Sequence, residues 1–193
     1  MHPKQVDLRY SESMKMLVIS VLFLTLQCFA QSLPSINATD LVSGKTLQFS
    51  WSESKKGTVL VFLSSSCPCS HAHIGHLIDL AKIYPEMKFI GVHSNANETV
   101  IESEKYFKSL NLPFPVIQDN SSEWADRLKA YRTPHAFVVT SKGELAYQGG
   151  VTSSADPEKA DSFYLKVTLK KFLAGEKIES SRTRVLGCQI ARK

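Results

Sequence analysis

The residues best equipped for chemistry are Cys67-Pro68-Cys69-Ser70, which follow Ser64-Ser65-Ser66. They end an apolar run, Thr58 to Leu63, and begin an amphipathic stretch from His71 to Tyr84. A cysteine between a strand and a helix is well placed to become a thiolate. Pro68 suits the first helical position, where no backbone N–H is needed. Cys67 is then the N-cap, with its sulfur near the free N–H groups of Cys69 and Ser70. The positive end of the helix dipole favours the thiolate and lowers its pKa. The thiolate is the form that attacks a disulfide sulfur or a peroxide. The spacing therefore predicts thiol redox chemistry with Cys67 as nucleophile.

Two other cysteines compete as its partner. Positions i and i+2 of a helix point about 200° apart. A Cys67–Cys69 disulfide would need an unwound first turn and would be strained and easily reduced. Cys69 is thus either a resolving thiol or a packing residue. Cys188 lies in a basic segment, 179–193, read as a flexible tail. Such a tail can deliver a thiol to a sulfenic acid on Cys67. A staple to Cys69 and a bridge between two chains are its alternatives. His71, His73 and His76 follow the cysteines. His73 and His76 share a helix face, and with Cys67 and Cys69 they form a set suited to soft copper or zinc. A copper-binding metallochaperone is therefore the rival reading, against histidines lying on the outer helix face.

The elements that would position these residues read as follows. Residues 31–57 form a linker and a hairpin turning at Ser43-Gly44-Lys45. Val59–Leu63 and Met87–His93 are core strands. Between them lies a helix from Ser70 to Tyr84, stopped by Pro85. A second helix runs from Asn97-Glu98 to about Leu110, with Val100, Ile101, Tyr106, Phe107 and Leu110 as its apolar side. Val116-Ile117 is a short strand, and Ser121/Ser122 begin a two-turn helix carrying Trp124 and Leu128. Ala136–Thr140 and Glu144–Tyr147 flank a turn at Ser141-Lys142-Gly143. A last helix runs from Asp156 or Pro157 to Ala174 and ends at Gly175. Parallel strands joined by helices, then an antiparallel pair and a helix, predict a three-layer α/β/α sandwich with an N-terminal hairpin and a C-terminal tail.

The 193 residues, 43% apolar and 21% charged, suffice for one domain with a real core. The net charge of +5 is scattered, apart from Arg182, Arg184, Arg192 and Lys193 near the C-terminus, which argues against nucleic-acid binding. Residues 1–30 read as a secretory signal. Lys15 precedes the apolar run Leu17–Leu26, and Cys28 and Ala30 occupy the small-residue positions of a cut before Gln31. Met14 or Met16 is an alternative start. The run is too short to span a bilayer, so no stable membrane anchor is expected. Export, periplasmic or extracellular, implies an oxidising compartment. Of four cysteines, Cys67, Cys69 and Cys188 would remain after cleavage. That odd number points to an exchanging thiol rather than to staples alone.

The chain resembles the thioredoxin-fold redoxins of the alkyl hydroperoxide reductase/thiol-specific antioxidant group over roughly residues 33–190. The likeness is carried by Phe62-Leu-Ser-Ser-Ser-Cys67-Pro68, by Arg132-Thr133-Pro134-His-Ala-Phe-Val-Val, and by Lys142-Gly143-Glu144. Phe163-Tyr-Leu, Leu173-Ala-Gly-Glu-Lys-Ile178 and Gly187-Cys188-Gln-Ile190 are similar to small exported redoxins with a C-terminal cysteine. The resemblance implies a thioredoxin-like redoxin domain over 31–178, and a cis Pro134 that sets Thr133 and itself beside the active cysteine. It implies antioxidant activity, reducing peroxides or disulfides. The partners would be a thiol reductant or disulfide-bearing protein, with a peroxide or small molecule as substrate. No organic cofactor is implied, and the protein would be a monomer or weak dimer. Two departures qualify this. Ser70 stands where thioredoxins place their second cysteine. Leu60 and Ser64 stand where peroxiredoxins place Pro and Thr, although Ser64 still offers a hydroxyl to sulfur or peroxide.

Overall fold

Two hydrophobic layers, one on each face of a five-stranded sheet, organise residues 32–192, the part described by this computed structural model. The expected signal segment, 1–30, lies outside the described residues. No helix among the described residues is long and apolar enough to cross a membrane. A hairpin comes first, β1 (Ile36–Thr39) and β2 (Thr46–Phe49). Next are β3 (Thr58–Leu63), α1 (Pro68–Ile83), β4 (Lys88–His93), α2 (Val100–Ser109), β5 (Val116–Gln118) and α3 (Glu123–Arg127). The chain finishes with β6 (Arg132–Thr133), β7 (His135–Val139), β8 (Leu145–Gly149), α4 (Tyr164–Leu173) and β9 (Cys188–Gln189).

The main sheet has the order β5-β4-β3-β7-β8. β3 pairs parallel with β4 and antiparallel with β7. Every residue of β3 is buried. The alternation of a strand sends its side chains to opposite layers. Val59, Val61 and Leu63 join Ile74, Leu77 and Leu80 of α1, Phe107 of α2 and Leu165 and Leu169 of α4. Leu60 and Phe62 join Trp124 and Leu128 from the α3 region and Ile36, Phe49 and Trp51 from the hairpin region. The expected three-layer sandwich is thus present, with α1, α2 and α4 on one face.

Two buried carboxylates fasten the loops. Asp40 accepts from the N–H groups of Val42, Ser43 and Val116 at 3.0, 3.1 and 3.0 Å, tying the hairpin to β5. Asp119 accepts from the N–H groups of Trp124 and Ala125 at 2.9 and 3.0 Å, filling free donors at the start of α3.

Three expectations change. The last helix does not begin at Asp156. Asp156 caps a single turn, Pro157–Lys159, the chain becomes extended at Ala160, and α4 starts at Tyr164. Val100 and Ile101 do not face the core; they are 50% and 79% exposed, because Phe107 sets the buried side of α2. The segment after 178 is not a free tail. Gln148 N–H donates to Ser181 O at 2.9 Å and Thr183 N–H to Gln148 O at 3.2 Å, covering the outer edge of β8. Val185 and Ile190 are buried, and β9 pairs antiparallel with β6.

Candidate functional site

Cys67 sits at the carboxyl end of β3 as the N-cap of α1, with Pro68 in the first turn. The residue is buried, 2% exposed, whereas Cys69 and Cys188 are half-buried. In the thiol form Cys67 Sγ donates to Thr133 O at 3.2 Å. The Thr133–Pro134 bond is cis, as the resemblance implied. β9 lies against this loop in a register that pairs Thr133 with Cys188 and Arg132 with Gln189. Arg132 Nη1 donates to Gly187 O at 2.6 Å. The three sulfurs of Cys67, Cys69 and Cys188 all lie within 4.8 Å of one another. The thiols are free.

The electrostatics separate the three. Burial raises the Cys67 pKa, but hydrogen bonds from the Cys188 thiol, the Thr133 hydroxyl and the N–H groups of Ser70 and Cys188 outweigh it, and the net shift is downward. The Thr133 hydroxyl is buried and has no other hydrogen-bond partner, so it is available to a thiolate. Burial and the neighbouring Cys67 both raise the Cys69 pKa. Burial, followed by the hydrogen bond and charge of Cys67, raises that of Cys188. Cys67 is therefore the thiol of the three that ionises most readily, with Cys69 and Cys188 shifted the other way.

The loop before Cys67 is held by a residue the sequence reading passed over. Glu98 leaves only 6% of its side chain exposed. Its carboxylate accepts from Ser64 Oγ at 2.5 Å, Ser65 N at 2.7 Å and Ser66 Oγ at 2.9 Å, and also from the Ser65 hydroxyl. Asn95 Nδ2 donates to it at 2.6 Å and His93 Nε2 at 3.1 Å. Burial raises the Glu98 pKa, but His93 and the three serines hold it far below the usual carboxylate range. Ser64 in turn accepts from Cys67 N–H at 3.0 Å. Its hydroxyl proton thus points to Glu98 rather than to sulfur, which changes the role expected of Ser64. The triple serine was the visible trace of this clamp, but Glu98 read only as a helix opener.

The histidines do not gather as a metal set. His71 is exposed, bonds Ser65 O through Nε2 at 2.8 Å and stacks on Tyr106 at 4.6 Å. His73 is not on an outer face; it is 1% exposed. Its ring nitrogens lie 2.8 Å from Cys69 O and 2.9 Å from Thr152 Oγ1. His76 is half-buried and packs on Phe163. The cluster takes Cys188 in place of His73 and His76, because the pairing of β9 with β6 brings Cys188 to the start of α1. His135, just after the cis proline, is fully buried and pushed down to about 4 by that burial. It lies between Tyr131 and Phe137.

A β3–α1 junction bearing a buried cysteine beside a cis-proline loop defines the thioredoxin-like class. The model of the family described as Redoxin matches residues 30–164, and the chain belongs to that family. An uncharacterized conserved protein from Geobacillus kaustophilus is 22% identical, with a TM-score of 0.73, over 85% of this chain and 92% of that one. A secreted Mycobacterium tuberculosis disulfide oxidoreductase homologous to E. coli DsbE is 21% identical, with a TM-score of 0.53, over 70% and 94%. The exposed lipoprotein thioredoxin Etrx1 of Streptococcus pneumoniae is 19% identical, with a TM-score of 0.58, over 72% and 99%. At these identities the likeness shows a shared fold. No curated protein matches the chain.

Proposed function

We propose that the protein is a thiol–disulfide oxidoreductase acting outside the cytoplasm, with Cys67 as nucleophile and Cys188 as resolving thiol. The observation that carries this reading is the Cys188 sulfur, held by β9 within 4.8 Å of the buried Cys67 sulfur. The Cys67 thiolate attacks a substrate disulfide, forms a mixed disulfide and releases one substrate thiolate. Cys188 loses its proton to that leaving thiolate or to water and attacks the Cys67 sulfur. A Cys67–Cys188 disulfide forms, the second substrate thiol departs, and two electrons have passed to the substrate. An external thiol reductant resets the pair. Thr133 and Pro134 shape the wall against which the substrate sulfur approaches. The low pKa of Cys67 makes it a good leaving group when the pair is reset. The secretory pattern of residues 1–30 supports an exported location, as do relatives described as secreted or as an exposed lipoprotein.

Disulfides are favoured over peroxides because the Ser64 hydroxyl is committed to Glu98 at 2.5 Å and offers no proton to a peroxide oxygen. Mass spectrometry of Cys188→Ser treated with oxidised glutathione tests the reading. A stable glutathione adduct on Cys67 is expected in the variant, and an internal disulfide in the parent. Absence of the adduct in Cys188→Ser, or faster oxidation of the parent by hydrogen peroxide than by glutathione disulfide, would contradict it.

A further inference from the structure

A two-thiol exchange leaves Cys69 without a role, yet its sulfur completes a triangle with those of Cys67 and Cys188, all within 4.8 Å of one another. We infer that the reduced protein binds one Cu(I) ion between the sulfurs of Cys67, Cys69 and Cys188, and that disulfide formation releases it. Metal–thiolate bonds are about 2.3 Å long, so three sulfurs in a plane around one ion sit about 4 Å apart. The triangle already present needs only small side-chain rotations to close.

The ligand chemistry selects the ion. Three thiolates suit a soft metal, Cu(I) or Zn(II). Structural zinc takes four ligands, and among the described residues the cluster has three. His73 is committed to Cys69 O and Thr152 Oγ1, and His76 is packed on Phe163. Cu(I) is satisfied by three thiolates. The N-terminal end of α1 offsets part of the negative charge of the site. Two segments distant in sequence would be pinned together, the start of α1 supplying Cys67 and Cys69, and β9 supplying Cys188.

The site and the exchange chemistry exclude one another. When a substrate disulfide oxidises the protein, Cys67 and Cys188 join, two substrate thiolates leave, and the ion departs still as Cu(I) with only Cys69 free. The copper changes no oxidation state; the two electrons come from the two sulfurs.

This inference rests on the sulfur cluster and not on the reactivity of Cys67, so its failure is separable from failure of the exchange reading. The test is anaerobic titration of the reduced protein against Cu(I) held by bicinchoninate, with X-ray absorption on the product. Uptake of one ion per chain is expected, with three sulfur neighbours and no nitrogen. Cys69→Ser and Cys188→Ser, each with unchanged circular dichroism, should weaken binding at least tenfold. His76→Ala should not weaken it, and the disulfide form should take up no copper. No uptake by the reduced protein, Cys69→Ser binding as tightly as the parent, or a nitrogen ligand in the absorption spectrum would overturn the inference. So would tighter binding of zinc than of Cu(I).

Discussion

Cys188 is the strand partner of Thr133, the residue whose carbonyl accepts the Cys67 thiol proton at 3.2 Å. The two thiols of the proposed exchange are therefore registered against one peptide unit. Cys188 is also fixed on both sides. Before it, Thr183 bonds Gln148; after it, Ile190 N–H donates to Tyr131 O at 3.1 Å and Ala96 N–H to Ala191 O at 2.9 Å. The thiol proposed to resolve is docked before any substrate arrives.

Gly187 makes that docking possible. Its φ of +138 is rarely adopted by residues with a side chain, and a Cβ there would collide with the Thr133 carbonyl oxygen. Gly187→Ala should displace β9 and slow closure of the Cys67–Cys188 disulfide at least tenfold, while attack by Cys67 on glutathione disulfide continues. Stopped-flow mixing followed by acid trapping reads both steps. Closure at the parent rate would show that β9 tolerates the methyl group and that its register does not set the rate.

The pKa pattern gives a pH dependence. Alkylation of Cys67 by iodoacetamide should have its midpoint below the ordinary thiol value of about 8.5, and Cys188 above it. Cys188→Ala should move the Cys67 midpoint upward, because a hydrogen-bond donor to the thiolate is removed. The sign for stability follows. Cys67 has a depressed folded pKa, so its ionisation stabilises the fold above the unfolded value, and the gain is lost as pH falls through the folded one.

Glu98 is expected to matter for stability as much as for the site. Glu98→Ala leaves buried hydroxyl and N–H donors without an acceptor, which should cost about 3 kcal/mol. The midpoint of thermal unfolding should fall by about 6–12 °C. Because the folded Glu98 pKa is depressed, its contribution is present above the usual carboxylate range and fades as pH drops below it. Urea unfolding of the parent should lose stability more steeply than Glu98→Gln between about pH 5 and pH 2. Parallel curves would mean the carboxylate is not the ionised clamp.

Cys69→Ser should leave the disulfide-exchange rate within about twofold of the parent: its sulfur lies as near Cys67 as that of Cys188 does, but a disulfide between residues only two apart would be strained and easily reduced. A large loss in a coupled insulin-reduction assay would instead make Cys69 the resolving thiol.

Much of this was legible in the chain. Val59–Leu63 is apolar without alternation because both of its faces are covered, and Cys67-Pro68 declares a helix start, so β3, α1 and the N-cap followed directly. Thr133-Pro134 pointed to the cis loop through resemblance. What stayed hidden depends on contacts distant in sequence. β9 is only two residues long, and nothing local marks it as a strand; its place is set by Val185, Ile190 and the free edges of β6 and β8. His73 looked like a surface residue because a helix position shows its burial only once Thr152 arrives from beyond β8. Glu98 gave no sign because its six donors come from three different loops and strands.

The central claim, that Cys188 resolves Cys67, is tested most directly by peptide mapping after one equivalent of glutathione disulfide, with remaining thiols alkylated in acid. The expected result is a single cross-linked species joining the Cys67 and Cys188 peptides, with the Cys69 thiol free and alkylated. A Cys67–Cys69 link, a bridge between two chains, or three alkylated thiols would contradict it.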